Sequence, residues 1–368
     1  MSELEFRFAS EFNIKPVPWL WDGWIPRGFL GVLAGHPGIG KSQIAIDIAA
    51  ALSSGRRMPN HARGHLEDDE FVMLLSEDPI EELVVPRLIA AGADLGRIAV
   101  EAQIKGDKGF NFKDHEELLR RALERRDSHL ALLVLDPMTL FLGQGNWRGY
   151  SEAYSSLAEL TKLADDFDFT IFGVSHLNKK SELTAMQRIM DSSAFAGAPR
   201  FLLMAARDPV DERLVFWVEK NNMAARPPHL EYEIQERVVA DYEVDGEQRI
   251  ATGPPVTTSR VRWIGVSDKS GGELLRTEGG SKKLVEDTLQ KIQKGAIEGE
   301  WFTVRGLAAV LELGRRSAQS RADALVKEGL LESRNVKGSK EREYRLTSKD
   351  SKDSIEAKEA KEAKANGR

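Results

Sequence analysis

The chain has 368 residues, 41% of them hydrophobic and 30% charged, enough for two or three domains with real cores. Its 52 basic and 58 acidic side chains leave a formal net charge of -6, which excludes a uniformly cationic nucleic-acid binder but leaves room for a local basic face. With no cysteine, disulfides, zinc fingers, iron–sulfur clusters and thiol catalysis are excluded. No apolar run is long enough for a membrane span and the start lacks the pattern of a signal peptide, so a soluble cytoplasmic protein is expected.

Residues 1–28 read as an irregular arm with Pro16, Pro18 and Pro26. Its tryptophans Trp19, Trp21 and Trp24 are expected to pack rather than to stack on a base. From 29 to 235, short apolar runs alternate with amphipathic stretches. Strands are predicted at 29–34, 71–76, 130–135, 170–175, 201–206 and 214–219, and helices at 41–52, 81–91 and 151–166. That rhythm predicts an α/β domain with a mostly parallel sheet flanked by helices. Residues 236–280 lose it and read as a connector with a short hairpin. Residues 281–348 regain helical periodicity and end in two short extended pieces. The tail, 349–368, is almost wholly charged residues, alanine and serine. It is expected to be disordered and dispensable for turnover.

Gly35-His36-Pro37-Gly38-Ile39-Gly40-Lys41-Ser42 matches G-x-x-x-x-G-K-[ST] in full, between a predicted strand and a predicted helix. The glycines let backbone N–H groups turn inward around phosphates, and the helix N-terminus adds its positive end. Lys41 is placed to meet the β- and γ-phosphates of ATP. Ser42 offers a hydroxyl to Mg²⁺.

Two acids follow apolar strands. Asp136 closes Leu132–Asp136, at the carboxyl edge where open α/β sheets bind ligands; it is read as the second Mg²⁺ position. Glu77, after Met73–Ser76, fits two roles: the base that orients the attacking water, or an acid that opens the next helix. His176 ends another strand and fits either a strand terminus or a group that senses the γ-phosphate.

In order, Ile25-Pro26-Arg27-Gly28, the phosphate loop, Ser76-Glu77-Asp78-Pro79, Arg87, Gly92-Ala93-Asp94, Leu135-Asp136-Pro137, Ser175–Lys179, Arg200 and Val218–Asn221 resemble the RecA-like P-loop ATPases. Within that group, counted with the AAA ATPases, the set is similar to the RepA-type hexameric replicative helicases over about residues 15–235. The resemblance implies that Glu77 is the catalytic base and His176 the γ-phosphate sensor. It implies that Arg200 is an arginine finger reaching a neighbour's nucleotide and Lys220 a second cation at that seam, in a homo-oligomer, expected to be a hexamer. The chain departs from the pattern with Ser175-His176 in place of paired histidines, and with Arg188-Ile189-Met190-Asp191-Ser192-Ser193 in place of Arg-Gly-Ser-Ser. For Arg200 a surface ion pair is the competing role.

Lys179, Lys180 and Arg188 lie in a polar segment between two strands; the comparable RecA-like loop faces single-stranded DNA, although a solvated loop fits equally. A second DNA surface is expected at the C-terminus. There a helix starting at Trp301–Arg305, a second helix opened by Gly314-Arg315-Arg316, and two strands joined by 337–340 resemble a winged helix. Residues 281–349 hold 15 basic against 10 acidic side chains. Arg315, Arg316 and Arg321 would face the major groove, and Lys337, Lys340 and Arg342 would lie in the wing; protein contacts are the other use of such a module. The function expected is an oligomeric, Mg²⁺-dependent, DNA-acting ATPase, most simply a RepA-like replicative helicase. The alternatives are a RecA/KaiC-like recombination or repair ATPase and an ATP-switched DNA-binding initiator or regulator.

Overall fold

The computed structural model describes residues 6–62, 64, 66–100, 109–143, 150–177, 197–208, 211–240, 242–245, 248–251, 253–269, 271–274, 288–294, 301–311, 313, 315–336 and 342–347. In chain order, a hairpin of β1 (Trp19–Trp21) and β2 (Ile25–Pro26) leads into β3 (Leu30–Gly35), α1 (Lys41–Ser53) and β4 (Glu70–Ser76). Next come α2 (Val85–Ala91), β5 (Ile98–Ala99), α3 (Phe112–Glu124), β6 (His129–Asp136), α4 (Met138–Phe141) and α5 (Tyr150–Phe167). The unit closes with β7 (Thr170–His176), β8 (Phe201–Arg207), β9 (Leu214–Asn221), β10 (Leu230–Val239), β11 (Tyr242–Asp245), β12 (Gln248–Ala251) and β13 (Val256–Val266).

Nine of these strands form one sheet in the order β13-β10-β9-β8-β3-β7-β6-β4-β5. From β8 to β5 the pairings are parallel. Beyond β8 they turn antiparallel. The sheet is therefore mixed rather than simply parallel. The central strands are near-continuous apolar runs because helices or the hairpin cover both faces. Alternate residues serve opposite cores. Leu33, Leu132 and Val134 face α1 and the hairpin, while Val32, Leu133 and Leu135 face α3 and α5.

The region read as a connector differs most from expectation. β10 crosses residue 235 without a break, and β13 pairs with it over ten positions from Leu230↔Val266 to Val239↔Val256. Both continue the main sheet; the short hairpin is β11–β12 at the far tip. Their sequence is charge-rich because only the first residues of β10 are buried, so the apolar signal of a core strand is missing.

Two of the three tryptophans behave as packing residues, while Trp19 is half-buried. Trp21 and Trp24 are fully buried and stack at 4.6 Å, with Phe216 stacked on Trp24 at 5.0 Å.

Residues beyond 288 form a separate small core around Ile292, Val304, Leu307, Leu311, Leu325 and Tyr344. The helices Val304–Leu311 and Arg315–Lys327 pack beside a three-stranded sheet, β14 (Phe302–Thr303), β15 (Leu331–Asn335) and β16 (Arg342–Leu346), in the order β14-β16-β15. The first helix begins at Val304, later than expected, because 302–303 pair with β16 and the Thr303 hydroxyl accepts from Gly306 N–H at 3.3 Å. Among the described residues no helix is long and apolar enough to cross a membrane.

Candidate nucleotide site

The phosphate loop leaves the carboxyl end of β3 and enters α1. Two glycines fix its path. A Cβ on Gly35 would sit 2.4 Å from the Ala205 carbonyl oxygen on β8. Gly40 takes φ +87°, the left-handed conformation that begins the helix. The loop's backbone amides and the amino end of α1 then converge on one cavity of about 870 Å³.

Lys41 is buried at the floor of this cavity. Its Nζ donates to the His36 carbonyl at 2.9 Å and lies 3.0 Å from His176 Nδ1. Burial pulls the Lys41 pKa down from 10.5 to about 8, and Asp136 opposes that. Burial, then the charge of Lys41, lowers the His176 pKa as well, so the neutral ring with an accepting Nδ1 is favoured.

Asp136 stands beside Ser42, which donates a hydrogen bond to it. Burial raises the Asp136 carboxyl above its ordinary range; the Ser42 bond and Lys41 oppose the shift, while Asp78 and Glu77 add to it. Glu77 is exposed on the cavity wall, with its N–H bonded to the Asp136 carbonyl at 3.0 Å. That bond carries the β4 edge across to β6 and brings Glu77 beside the phosphate loop. Asp78 is used differently: Arg87 binds its carboxylate at 2.5 Å, which fixes the entry to α2.

The other wall was not legible as part of a site. Tyr232 on β10 donates its hydroxyl to the Ile39 carbonyl at 2.7 Å, and burial raises its pKa. Gln43 reaches Ser259 on β13 at 3.3 Å. Trp263 on β13 donates to Asp47 of α1 at 2.7 Å, and Arg56 holds the same carboxylate at 2.7 Å. The β8–β9 turn brings Arg207 and Arg213 to the rim. Behind it Lys269 is buried between Asp208 and Asp211, at 3.0 and 2.9 Å. Only a strand assignment for 230–239 and 256–266 could have revealed this wall.

Arg200 and Lys220 lie elsewhere. Arg200 N–H donates to the Leu30 carbonyl at 2.9 Å, at the start of β3. Lys220 pairs in register with Leu202 and its Nζ binds the Pro199 carbonyl at 2.8 Å. Burial, then Arg200, lowers the Lys220 pKa. Both residues sit at the opposite end of the sheet from the phosphate loop, about 16 Å away along β3 at ~3.3 Å per residue.

Of the basic DNA candidates, Lys179, Lys180, Arg188, Lys337 and Lys340 fall outside the described residues, as does the Arg316 side chain. Arg315 is exposed at the start of its helix and Arg321 is half-buried. In the strands, Arg334 binds Glu343 at 2.8 Å, Arg345 binds Glu332 at 2.7 Å and Arg342 meets Asp323 at 3.4 Å.

The donor set suits magnesium. Ser42 and Asp136 offer hard oxygens in contact with each other, and Mg²⁺ needs few protein ligands when phosphates and water supply the rest. Among the described residues no group of three or more acids or histidines would hold a metal without a nucleotide.

Residues 1–182 match the family model described as AAA domain. Over that stretch the chain is similar to a P-loop ATPase domain of the AAA type. No curated protein matches the chain. Among solved structures, the ATPase domain of G40P is similar at 14% identity, covering 55% of this chain and 80% of that one, with a TM-score of 0.41. A DnaB-like replicative helicase, from a structure describing its interactions with primase, is similar at 14% identity, covering 60% of this chain, with a TM-score of 0.43. The chain spans 61% of that helicase's length.

Proposed function

We propose that this protein is an oligomeric ATPase acting on DNA, a replicative helicase of the RepA type working as a hexamer. One observation carries the reading. The phosphate loop, the Ser42–Asp136 pair and Glu77 converge on one cavity, while Arg200 and Lys220 stand at the far end of the same sheet. Two cations so far from the phosphate loop do not reach their own chain's nucleotide, which supports a role toward a neighbour's. The ordered motif resemblance adds weight to this reading.

In hydrolysis, water attacks the γ-phosphorus in line as the bond to the β-γ bridging oxygen breaks, giving ADP and phosphate. Glu77 orients that water and accepts its proton. Lys41 leaves His176 for the phosphates and balances the charge that develops on them. Magnesium, when held by Ser42 and Asp136, supplies further neutralisation of phosphate charge. Arg200 and Lys220 of the adjacent copy complete the cage, and His176 reports whether the γ-phosphate is present. Lys179, Lys180 and Arg188 would track a single strand in the channel. The C-terminal module, read as a winged helix, would contact duplex through Arg315, Arg316, Arg321, Lys337 and Lys340.

The test is phosphate release with and without single-stranded DNA, alongside sizing in ATP and Mg²⁺. Stimulation by single strands together with a hexamer-sized species is expected. A chain that stays single and inert toward ATP with every polynucleotide overturns the reading. A response confined to one duplex sequence would replace the motor with an ATP-controlled switch.

A further inference from the structure

We propose that the root of the β10–β13 ribbon is a DNA contact surface, on which Arg237, Arg260 and Arg262 meet the phosphate backbone of a duplex. This rests on the DNA-acting reading above and adds a surface separate from the channel loop and the C-terminal module.

Register brings the three arginines together. Glu233 pairs with Arg262, Gln235 with Arg260 and Arg237 with Thr258. Paired residues share a face, and alternate residues along each strand keep to it. One face of the ribbon therefore carries all three arginines. The other face is taken up by the nucleotide site: Tyr232 reaches Ile39, Ser259 meets Gln43 and Trp263 meets Asp47. That bracing holds the ribbon in place and turns the arginine face outward. Arg237 and Arg262 are exposed. Arg260 is half-buried, and its guanidinium donates to Gln235 Oε1 at 3.3 Å and to the Ala90 carbonyl, at the end of α2, at 3.5 Å.

These charges outnumber their partners. Arg262 is bound to Glu233 at 2.8 Å, and the neighbouring Arg56 to Asp47 at 2.7 Å. Among the described residues Arg237 forms no ion pair. Four guanidinium groups thus share two carboxylates. Burial, then the charge of Arg237, lowers the Arg260 pKa; Asp47 opposes the shift, while Arg56 and Arg262 add to it. A fixed surplus of cations, in a chain whose net charge is -6, attracts an anion to this place. The far hairpin does not extend the basic zone, since residues 240–252 hold four acids against one arginine.

The ligand follows from the chemistry of the face. Arg260 and Arg262 stand two residues apart on β13, about 7 Å along the strand. One strand of a duplex carries a phosphate about every 3.4 Å of helix axis, so both guanidinium groups can meet the same backbone. The paired positions of this face, from Glu233↔Arg262 to Arg237↔Thr258, include no aromatic residue. The base stacking that single-strand surfaces use is therefore missing, and contact with a duplex backbone, without base reading, is what remains.

The test uses the full-length protein and a fluorescein-labelled duplex oligonucleotide, with anisotropy read over a salt series. Arg237→Gln with Arg262→Gln should weaken binding about tenfold or more at low salt and lower the slope of log affinity against log salt by about two. Its melting temperature should stay as in the wild type. Arg237→Lys with Arg262→Lys should keep the wild-type slope. The chain has no cysteine, so Thr258→Cys labelled with benzophenone maleimide places one photo-reactive group on the face, and illumination should join it to the duplex. An unchanged slope in the glutamine variant, an equal loss in the lysine variant, or a crosslink confined to a second copy of the chain overturns the ribbon proposal and leaves the DNA-acting reading standing. If the wild type binds no DNA of any kind, that reading fails first and the ribbon proposal falls with it.

Discussion

Lys41 Nζ rests 3.0 Å from His176 Nδ1, so the phosphate-binding cation and the proposed γ-phosphate sensor are hydrogen-bonded to each other. Entry of a triphosphate must break that contact, which links the arrival of phosphate to the position of the histidine at the end of β7. Lys41→Ala should therefore abolish turnover, with a loss of at least about a hundredfold, read as phosphate release, and should leave His176 without its partner.

The same pair predicts a proton signature. The Lys41 pKa is about 8 against an ordinary 10.5. Between those values the unfolded chain holds a proton that the folded chain has released, so the stability of the nucleotide-free protein should rise with pH across that window. A bound triphosphate favours the charged lysine. Binding above pH 8 should thus take up a proton, and affinity should fall as pH climbs past 8. Calorimetry in two buffers of different ionisation enthalpy measures the uptake; heats independent of buffer would contradict it.

A shared seam predicts complementation. Arg200→Ala should cost on the order of a thousandfold in rate, as removal of a finger does, and Glu77→Ala should be at least as inactive. Mixed in equal amounts, the two should recover measurable turnover, because about a quarter of the seams then join an intact Glu77 to an intact Arg200. Mixtures no more active than either variant would place the cations outside the site.

Tyr232→Phe removes the donor that holds the Ile39 carbonyl within the phosphate loop. An unsatisfied buried carbonyl costs about 1–3 kcal/mol, measurable by urea unfolding. Nucleotide affinity should weaken in the same variant because the loop loses its tether. Destabilisation with unchanged affinity would show that the loop holds its shape without β10.

Gly35→Ala drives a methyl group to 2.4 Å from the Ala205 oxygen and the Ile39 side chain. Such overpacking costs about 1–3 kcal/mol. It should lower the melting temperature and nucleotide binding together, since β3 and β8 must separate at the edge where the loop begins.

The sequence disclosed the parts of this molecule that are buried on both faces. β3, β4, β6, β7, β8 and β9 are short apolar runs, and the first four lead into glycine, an acid or histidine at their carboxyl ends, which points to Lys41, Ser42, Glu77, Asp136 and His176. β10 and β13 escaped because strands buried over only part of their length carry exposed charges such as Glu233, Glu236 and Arg237, as a loop does. Tyr232, Ser259 and Trp263 went unnoticed for the same reason. Burial of Lys269 between two acids was equally hidden, since a charged side chain in a connector gives no sign of the partners that the fold brings to it.

The order of strands in the sheet governs how this protein can be dissected. The AAA match ends at residue 182, but β8, the hydrogen-bonded neighbour of the phosphate-loop strand, begins at Phe201. Excision at 182 would leave β3 as a raw apolar border and strip away both the tyrosine and the indole that brace the loop and its helix. The shortest autonomous ATP-binding piece must run through Lys269, nearly ninety residues beyond the conventional motif boundary.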